Sequence, residues 1–349
     1  MFMTVTRFRD FPAIVSVGTA ILGVWLATAQ PARAARAYVS NEDDGTVTVV
    51  DTQQLSAIAT IAAGKRPRGL ALSRDGARLY VAVSGLPKCP PPMTDADCAK
   101  LPRDQEADGI AVIDTATLQP LPVLRGVSDP ERVDVSPDGR VLFVSNEDAA
   151  RLTALDVSSG RVLGTTAVGR EPEGVRVSPN GHRVLVTSEE DNSVTIVDTR
   201  THAVVHTVKV GERPRDLALT PDSLTAYVSG EADASVYRFA LSGGAATLFV
   251  QLRKEARPMG LALDAARGRL YVSTGRGGSV AVISLPDGAL ASEIPVAGRP
   301  WGIALSDAGR RLVAADGPSG EAAVIDTQTL SVVGKVHTGH GPWGVAAAP

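Results

Sequence analysis

Residues 211–223 read GERPRDLALTPDS, a charged Arg-Pro-Arg step that runs into an apolar stretch and then a polar turn. The same plan returns as GKRPRGLALSRDG at 64–76, GREPEGVRVSPNG at 169–181, AGRPWGIALSDAG at 297–309 and GHGPWGVAAAP at 339–349. Its prolines are Pro67, Pro130, Pro172, Pro214, Pro258, Pro300 and Pro342, spaced 42 to 44 residues apart except for one gap of 63. An independent marker is the valine of an apolar-aromatic-Val step. It falls at Val39, Val81, Val144, Val186, Val228, Val272 and Val313 and shows the same single long gap. Setting aside the first 34 residues and 21 extra residues in that gap leaves 294, or seven units of 42. A period of this size marks a repeat architecture, so one domain can occupy most of a 349-residue chain.

Each unit holds four short runs rich in Val, Ile and Thr. GVRVS, HRVLVTS, SVTIVD and AVVHTVKV are one set, divided by PNG, EEDN and TRTH. Alternation at period two reads as strand. Asp-Gly and Asn-Gly in RDG, PDG and PNG predict tight hairpin turns, because glycine accepts positive φ. Asp51, Asp114, Asp156, Asp198 and Asp326 are expected to end the third strand and cap the following turn with their carboxylates. Seven units of four antiparallel strands predict an all-β, seven-bladed β-propeller. Stacked blades cover both faces of each sheet, which accounts for strands more apolar than simple alternation needs. The repeat opens on its second strand (AYVS) and closes on its first (GVAAA). The C-terminal strand is therefore expected to join the N-terminal three and close the ring, removing an open edge.

The ends and the long gap add context. Arg7 and Arg9 precede an apolar run over 11–29, with small residues at Ala32 and Ala34. This predicts a secretory signal peptide over 1–34, a propeller over 35–349 and export to the periplasm, with an uncleaved membrane anchor as the alternative. The long gap holds an insertion at 86–107 with the only two cysteines, Cys89 and Cys98. In an exported chain they are expected to form a disulfide across a short loop. The formal net charge of −3 gives no general case for nucleic acid or an anionic membrane as a partner.

AYVSNEDDGTVTVVDT and VLFVSNEDAARLTALDV resemble the YVTN family of β-propeller repeats, and the resemblance spans residues 37–349. More narrowly, SDPERVDVSPDG, GREPEGVRVSPNG and GERPRDLALTPDS in this order resemble periplasmic propellers associated with pyrroloquinoline quinone (PQQ)-dependent alcohol catabolism. The resemblance implies an accessory role in a quinoprotein oxidation system.

In such a blade the proline step enters the innermost strand at the mouth of the central channel. Proline fixes φ without adding a ladder donor, and the glycine after it permits close approach around the axis. The residues flanking the proline are not explained this way. In ring order they are Arg66/Arg68, Asp129/Glu131, Glu171/Glu173, Arg213/Arg215, Arg257/Met259, Arg299/Trp301 and Gly341/Trp343. An acidic sector between basic ones and an Arg/Trp sector opposite are expected, either as a binding rim or as mutual salt bridges across the mouth. The SNEDDG, SNEDAA and SEEDNS loops are expected on the same face, mainly solvated. The cysteine insertion should overhang the mouth as a lid or docking element. His340 is the histidine placed at the mouth, a rim residue or, alternatively, an axial ligand. No catalytic or metal-binding motif is present, and no cofactor is implied. The reading favours a monomeric, non-catalytic binding or scaffold protein for a protein partner or a small anionic ligand. A modified-haem carrier or oxidoreductase and a lactonase-like hydrolase are the alternatives.

Overall fold

The computed structural model describes residues 35–347 apart from 90, 91, 99 and 297, together with residues 1, 2 and 4. The chain divides into two units, Met1–Arg33 and Ala34–Pro349. The expected signal segment and its A-x-A site lie outside the described residues.

The second unit is a ring of seven four-stranded antiparallel sheets. Blade 2, for example, runs outward from the channel as Pro67–Leu72, Arg78–Val83, Gly109–Asp114 and Pro120–Leu124. Blade 1 takes its innermost strand, Pro342–Ala347, from the C-terminus and the others, Arg36–Asn41, Thr46–Asp51 and Ser56–Ala62, from the N-terminus. Tyr38 faces Ala346 and Val39 faces Val345 across the closure. The Gly344 amide also donates to Ser40 Oγ at 2.9 Å. The expected ring closure is therefore present, and it spends the two free edges on each other.

Burial follows blade position. Arg36–Asn41 and Thr46–Asp51 are buried at all but their first residue, whereas the outermost strand Ser56–Ala62 is largely exposed. The core is a set of sandwiches between neighbouring blades, such as Tyr271, Val280 and Val282 of blade 6 against Ile303, Leu312 and Ala314 of blade 7. Each fully buried side chain of this kind contributes about 1.5–3 kcal/mol of transfer free energy.

The turns carry the sequence signals, with one difference. Ser73, Ser136 and Ser178 hydroxyls bond Asp75, Asp138 and Asn180 at 2.6–2.7 Å, and Gly76, Gly139 and Gly181 follow at φ of 65–76°. The loops are wider than two-residue hairpins. The Gly76 amide bonds the Ser73 carbonyl at 2.7 Å, while the Ser73 amide bonds the Arg78 carbonyl at 2.8 Å. The glycine thus closes a turn nested inside a longer connection. The aspartate caps are as expected: Asp51 Oδ1 accepts from the Gln53 and Gln54 amides at 2.9 and 2.8 Å. Asp114, Asp156, Asp198 and Asp326 accept from the amides that follow them in the same way.

The Pro-x-Gly step has its physical reason in the ring. A methyl group on Gly69, Gly174, Gly260, Gly302 or Gly344 would sit 2.5–2.8 Å from backbone of the next blade's innermost strand. Two blades break this pattern with Arg132 and Asp216, and these two pair with each other at 3.6 Å.

Candidate functional site

The proline that starts the innermost strand in six blades, and precedes it in blade 6, where the strand is Leu261–Asp264, sets the flanking residues around the mouth. The residue before it is left-handed in five blades: Arg66, Asp129, Glu171, Arg213 and Gly341 have φ between 40° and 64°. Only one of the five is glycine, so four side chains are held where backbone strain is greatest.

Two arginines organise the acidic sector. Arg68 is 4% exposed and meets Asp129 at 2.6 Å, Glu147 at 2.8 Å, and Glu131. Arg215 meets Glu173 and Glu189 at 2.5 Å and Glu231 at 2.6 Å. Arg66 bonds Glu42 at 3.0 Å, and Arg213 pairs with Glu189. Three acids per arginine leave more negative charge than the buried cations can offset. Burial raises the Glu131 carboxyl well above its usual range, with Arg68 opposing. Burial likewise raises Glu173 to about 8, with Arg215 opposing and the Glu147 and Glu189 charges adding to the rise. Glu171, raised to about 7 by burial and then by Glu189, Glu190 and Glu147, is poised near neutrality.

These contacts correct one expectation. Glu42, Glu147 and Glu189 open the loops expected to be mainly solvated, yet they turn inward to the arginines, as Glu231 does after the second strand of blade 5. All four stand three residues after the repeat valine. Their register against the proline step was the available signal.

The opposite sector has a different chemistry. Trp301 and Trp343 meet edge to face, with ring centroids 5.5 Å apart and planes at 64°. Arg299 lies 4.7 Å over Trp301, and Arg132 lies 5.4 Å over Trp343. Both distances fall within cation–π range. The Arg299 side chain makes no ion pair among the described residues, and its Nε is buried without a partner. Burial, followed by the charges of Arg276, Arg215 and Arg213, lowers its pKa, while Glu231 opposes the shift.

The two sectors enclose a cavity of about 520 Å³ at the mouth. Beneath it Arg132, Glu173, Arg215 and the two tryptophans leave a void of only about 10 Å³, so the mouth is a blind cup. The insertion closes one side. Arg66 donates to the Leu86 carbonyl at 2.5 Å, Lys88 reaches Glu42 at 2.9 Å as well as Asp43, and Arg103 holds Asp108 at 2.7 Å. Cys89 and Cys98 form the expected disulfide, with Cα atoms 5.5 Å apart, and Cys89 itself lines the cup.

Of the expected rim residues, Arg66, Arg68, Glu131, Glu173, Arg215, Arg299, Trp301 and Trp343 line the cup; Glu171, Arg213, Arg257 and His340 do not. Arg257 turns onto its own loop and donates to the Lys254 and Ala256 carbonyls at 2.9 Å. The His340 side chain is 83% exposed and held by Asp44 at 2.9 Å. It stands outside the cup, where an axial ligand of a channel-bound group would not be. Lys88 and Arg132 line the two cavities and were not singled out from the sequence.

No protein-family model and no curated protein matches the chain. Solved structures do. A functionally unknown protein from Desulfotomaculum acetoxidans is 17% identical with a TM-score of 0.74, covering 90% of this chain and 98% of its own. A 6-phosphogluconolactonase-like protein of Bacteroides uniformis is 17% identical with a TM-score of 0.70, covering 90% of this chain and all of its own. A dihydro-heme d1 dehydrogenase, NirN, is 14% identical with a TM-score of 0.65, covering 90% of this chain and 75% of its own. The chain is a seven-bladed β-propeller. At such identities these propellers share the fold and nothing more is carried across.

Proposed function

We propose that this propeller is a non-catalytic binding protein of an exported quinoprotein alcohol-oxidation system, and that its occupant docks at the Arg299–Trp301–Trp343 wall of the cup. The observation that carries the binding role is the contrast within one cup. Arg68 and Arg215 are saturated with carboxylates, whereas Arg299 is stacked, desolvated and unpaired among the described residues. Desolvated Arg and Trp side chains are the groups that dominate binding energetics. The repeat resemblance supplies the quinoprotein assignment, and the disulfide fits an oxidising compartment. Haem carriage through His340 is disfavoured by its place outside the cup. A lactonase-like reaction is disfavoured because the cup's carboxylates Glu131, Glu147 and Glu173 are engaged by arginine.

The test is calorimetric titration of the protein with a quinoprotein alcohol dehydrogenase and, separately, with PQQ. One of them is expected to bind with a dissociation constant below about 100 μM. The Arg299→Ala/Trp301→Ala double variant, folded by circular dichroism, is expected to lose that binding at least tenfold. Absence of both interactions in the unaltered protein would overturn the quinoprotein assignment.

A further inference from the structure

The repeat contains a pairing rule that neither motif shows alone. At three junctions the residue three places after the repeat valine meets the residue just before the proline of the next blade. Glu42 of blade 1 pairs with Arg66 of blade 2 at 3.0 Å. Ser84 of blade 2 donates to Asp129 of blade 3 at 2.5 Å. Glu189 of blade 4 pairs with Arg213 of blade 5. Three junctions are thus satisfied by a complementary group from the preceding blade, while Glu147 and Glu231 at the same position turn to Arg68 and Arg215.

At the junction of blades 6 and 7 the same two positions are Gly275 and Arg299. The cation is present, and the residue that should answer it has no side chain. Gly275 sits at φ 50°, and a Cβ there would lie 2.6 Å from the Arg257 carbonyl oxygen, so the local backbone admits no acid. Of the acids nearby, Asp316 accepts through Oδ1 from the Arg299 backbone amide at 2.6 Å, and Glu231 is held by Arg215 at 2.6 Å. One residue on, Arg276 is exposed and adds positive charge to the same place. The junction therefore carries a partly desolvated guanidinium with no ion-pair partner among the described residues, lying over the Trp301 ring and lining the cup. Leaving such a group unpaired is costly, and a charge-assisted contact restores it.

We propose that Arg299 is a carboxylate receptor and that the occupant of the cup supplies the acid group blade 6 lacks, carried on a flat unsaturated body that packs against the Trp301–Trp343 pair. This rests on the binding role given above and specifies its ligand class. Guanidinium and carboxylate are planar and match in a two-pronged contact. The edge-to-face tryptophans offer an aromatic surface beside it, where a planar body gains stacking area without losing rotamer freedom. An occupant anchored in this way is selected by its charge at one end and its shape along the other.

Benzoate and benzamide, nearly isosteric, separate charge from shape. The readout is fluorescence of a Trp25→Phe chain, whose remaining tryptophans, Trp301 and Trp343, both belong to the wall. Benzoate is expected to bind saturably below about 5 mM, and benzamide at least about tenfold more weakly. Arg299→Gln, checked for fold by circular dichroism, is expected to abolish the preference. Arg276→Glu, at an exposed position, is expected to weaken benzoate about fivefold and leave benzamide unchanged. Equal binding of the two probes, no saturable binding of benzoate to about 20 mM, or a preference that survives Arg299→Gln each overturns the proposal. The two readings fail separately. Dehydrogenase binding unaffected by Arg299→Gln sinks the carboxylate receptor alone, and benzoate selectivity without dehydrogenase or PQQ binding sinks the quinoprotein assignment alone.

Discussion

The mouth of this propeller is built twice from one repeated step, with opposite results. From blade 2 to blade 5, the residues beside the prolines and those after the second strands form closed clusters, with Arg68 and Arg215 each surrounded by three carboxylates. At the junction of blades 6 and 7 the position facing Arg299 holds Gly275, and the guanidinium lies over Trp301, which meets Trp343, in place of an acid. The first sector satisfies itself and reads as framework. The second leaves desolvated charge and aromatic surface facing the cup. A count of charged residues around the rim cannot separate them, because the difference lies in whether the partner is inside the molecule.

The comparison can be broken most directly at Arg68. Arg68→Met leaves the buried Asp129 and Glu131, and the half-buried Glu147, without their cation, and unfolding in urea is expected to show a loss of about 3–5 kcal/mol. A loss under about 1 kcal/mol would mean that the acidic sector is not framework.

A smaller effect comes from the proton in the same sector. Glu173 titrates at about 8 in the folded chain, against 4.5 when unperturbed, and Glu171 at about 7. Between those limits the folded chain binds protons that the unfolded chain has released, so stability falls as pH rises from about 4.5 through 8. Glu173→Gln fixes that site in a neutral form. It is expected to flatten the fall by about 1–2 kcal/mol when melting is followed from pH 5 to 8. An unchanged slope would show that Glu173 is ionised throughout.

The smallest effect is expected where function is proposed. Arg299→Met removes a desolvated cation with no ion-pair partner among the described residues, and stability should change by less than about 1 kcal/mol. A loss comparable with that of Arg68→Met would place Arg299 in the framework and erase the contrast between the sectors.

Much of this molecule was legible in one dimension. The seven prolines and seven valines at a common spacing announce the number of blades, and the phase of the repeat at the two ends announces that Pro342–Ala347 completes the sheet begun by Arg36–Asn41. The aspartate caps were readable too, since they depend on partners within about three residues, whereas the expected tight hairpins proved to be wider loops. The candidate site was legible as a set of positions but not as a set of contacts. Glu42, Glu147 and Glu189 looked like members of solvated acidic loops because nothing local distinguishes an acid facing water from one facing an arginine in another blade. Arg257 and His340 belong to the same step as Arg215 and Trp343, yet local hydrogen bonds to Lys254, Ala256 and Asp44 turn them from the cup.

By itself, then, the sequence determined the repeat, its strands and turns, and the closure of the ring, because these follow from periodic apolar burial and short-range backbone chemistry. Only the tertiary structure decided which charges are spent and which remain available. Ring closure brings the end of one blade's second strand against the proline of the next. Whether an arginine meets a glutamate or a glycine there is a relation between residues more than twenty positions apart.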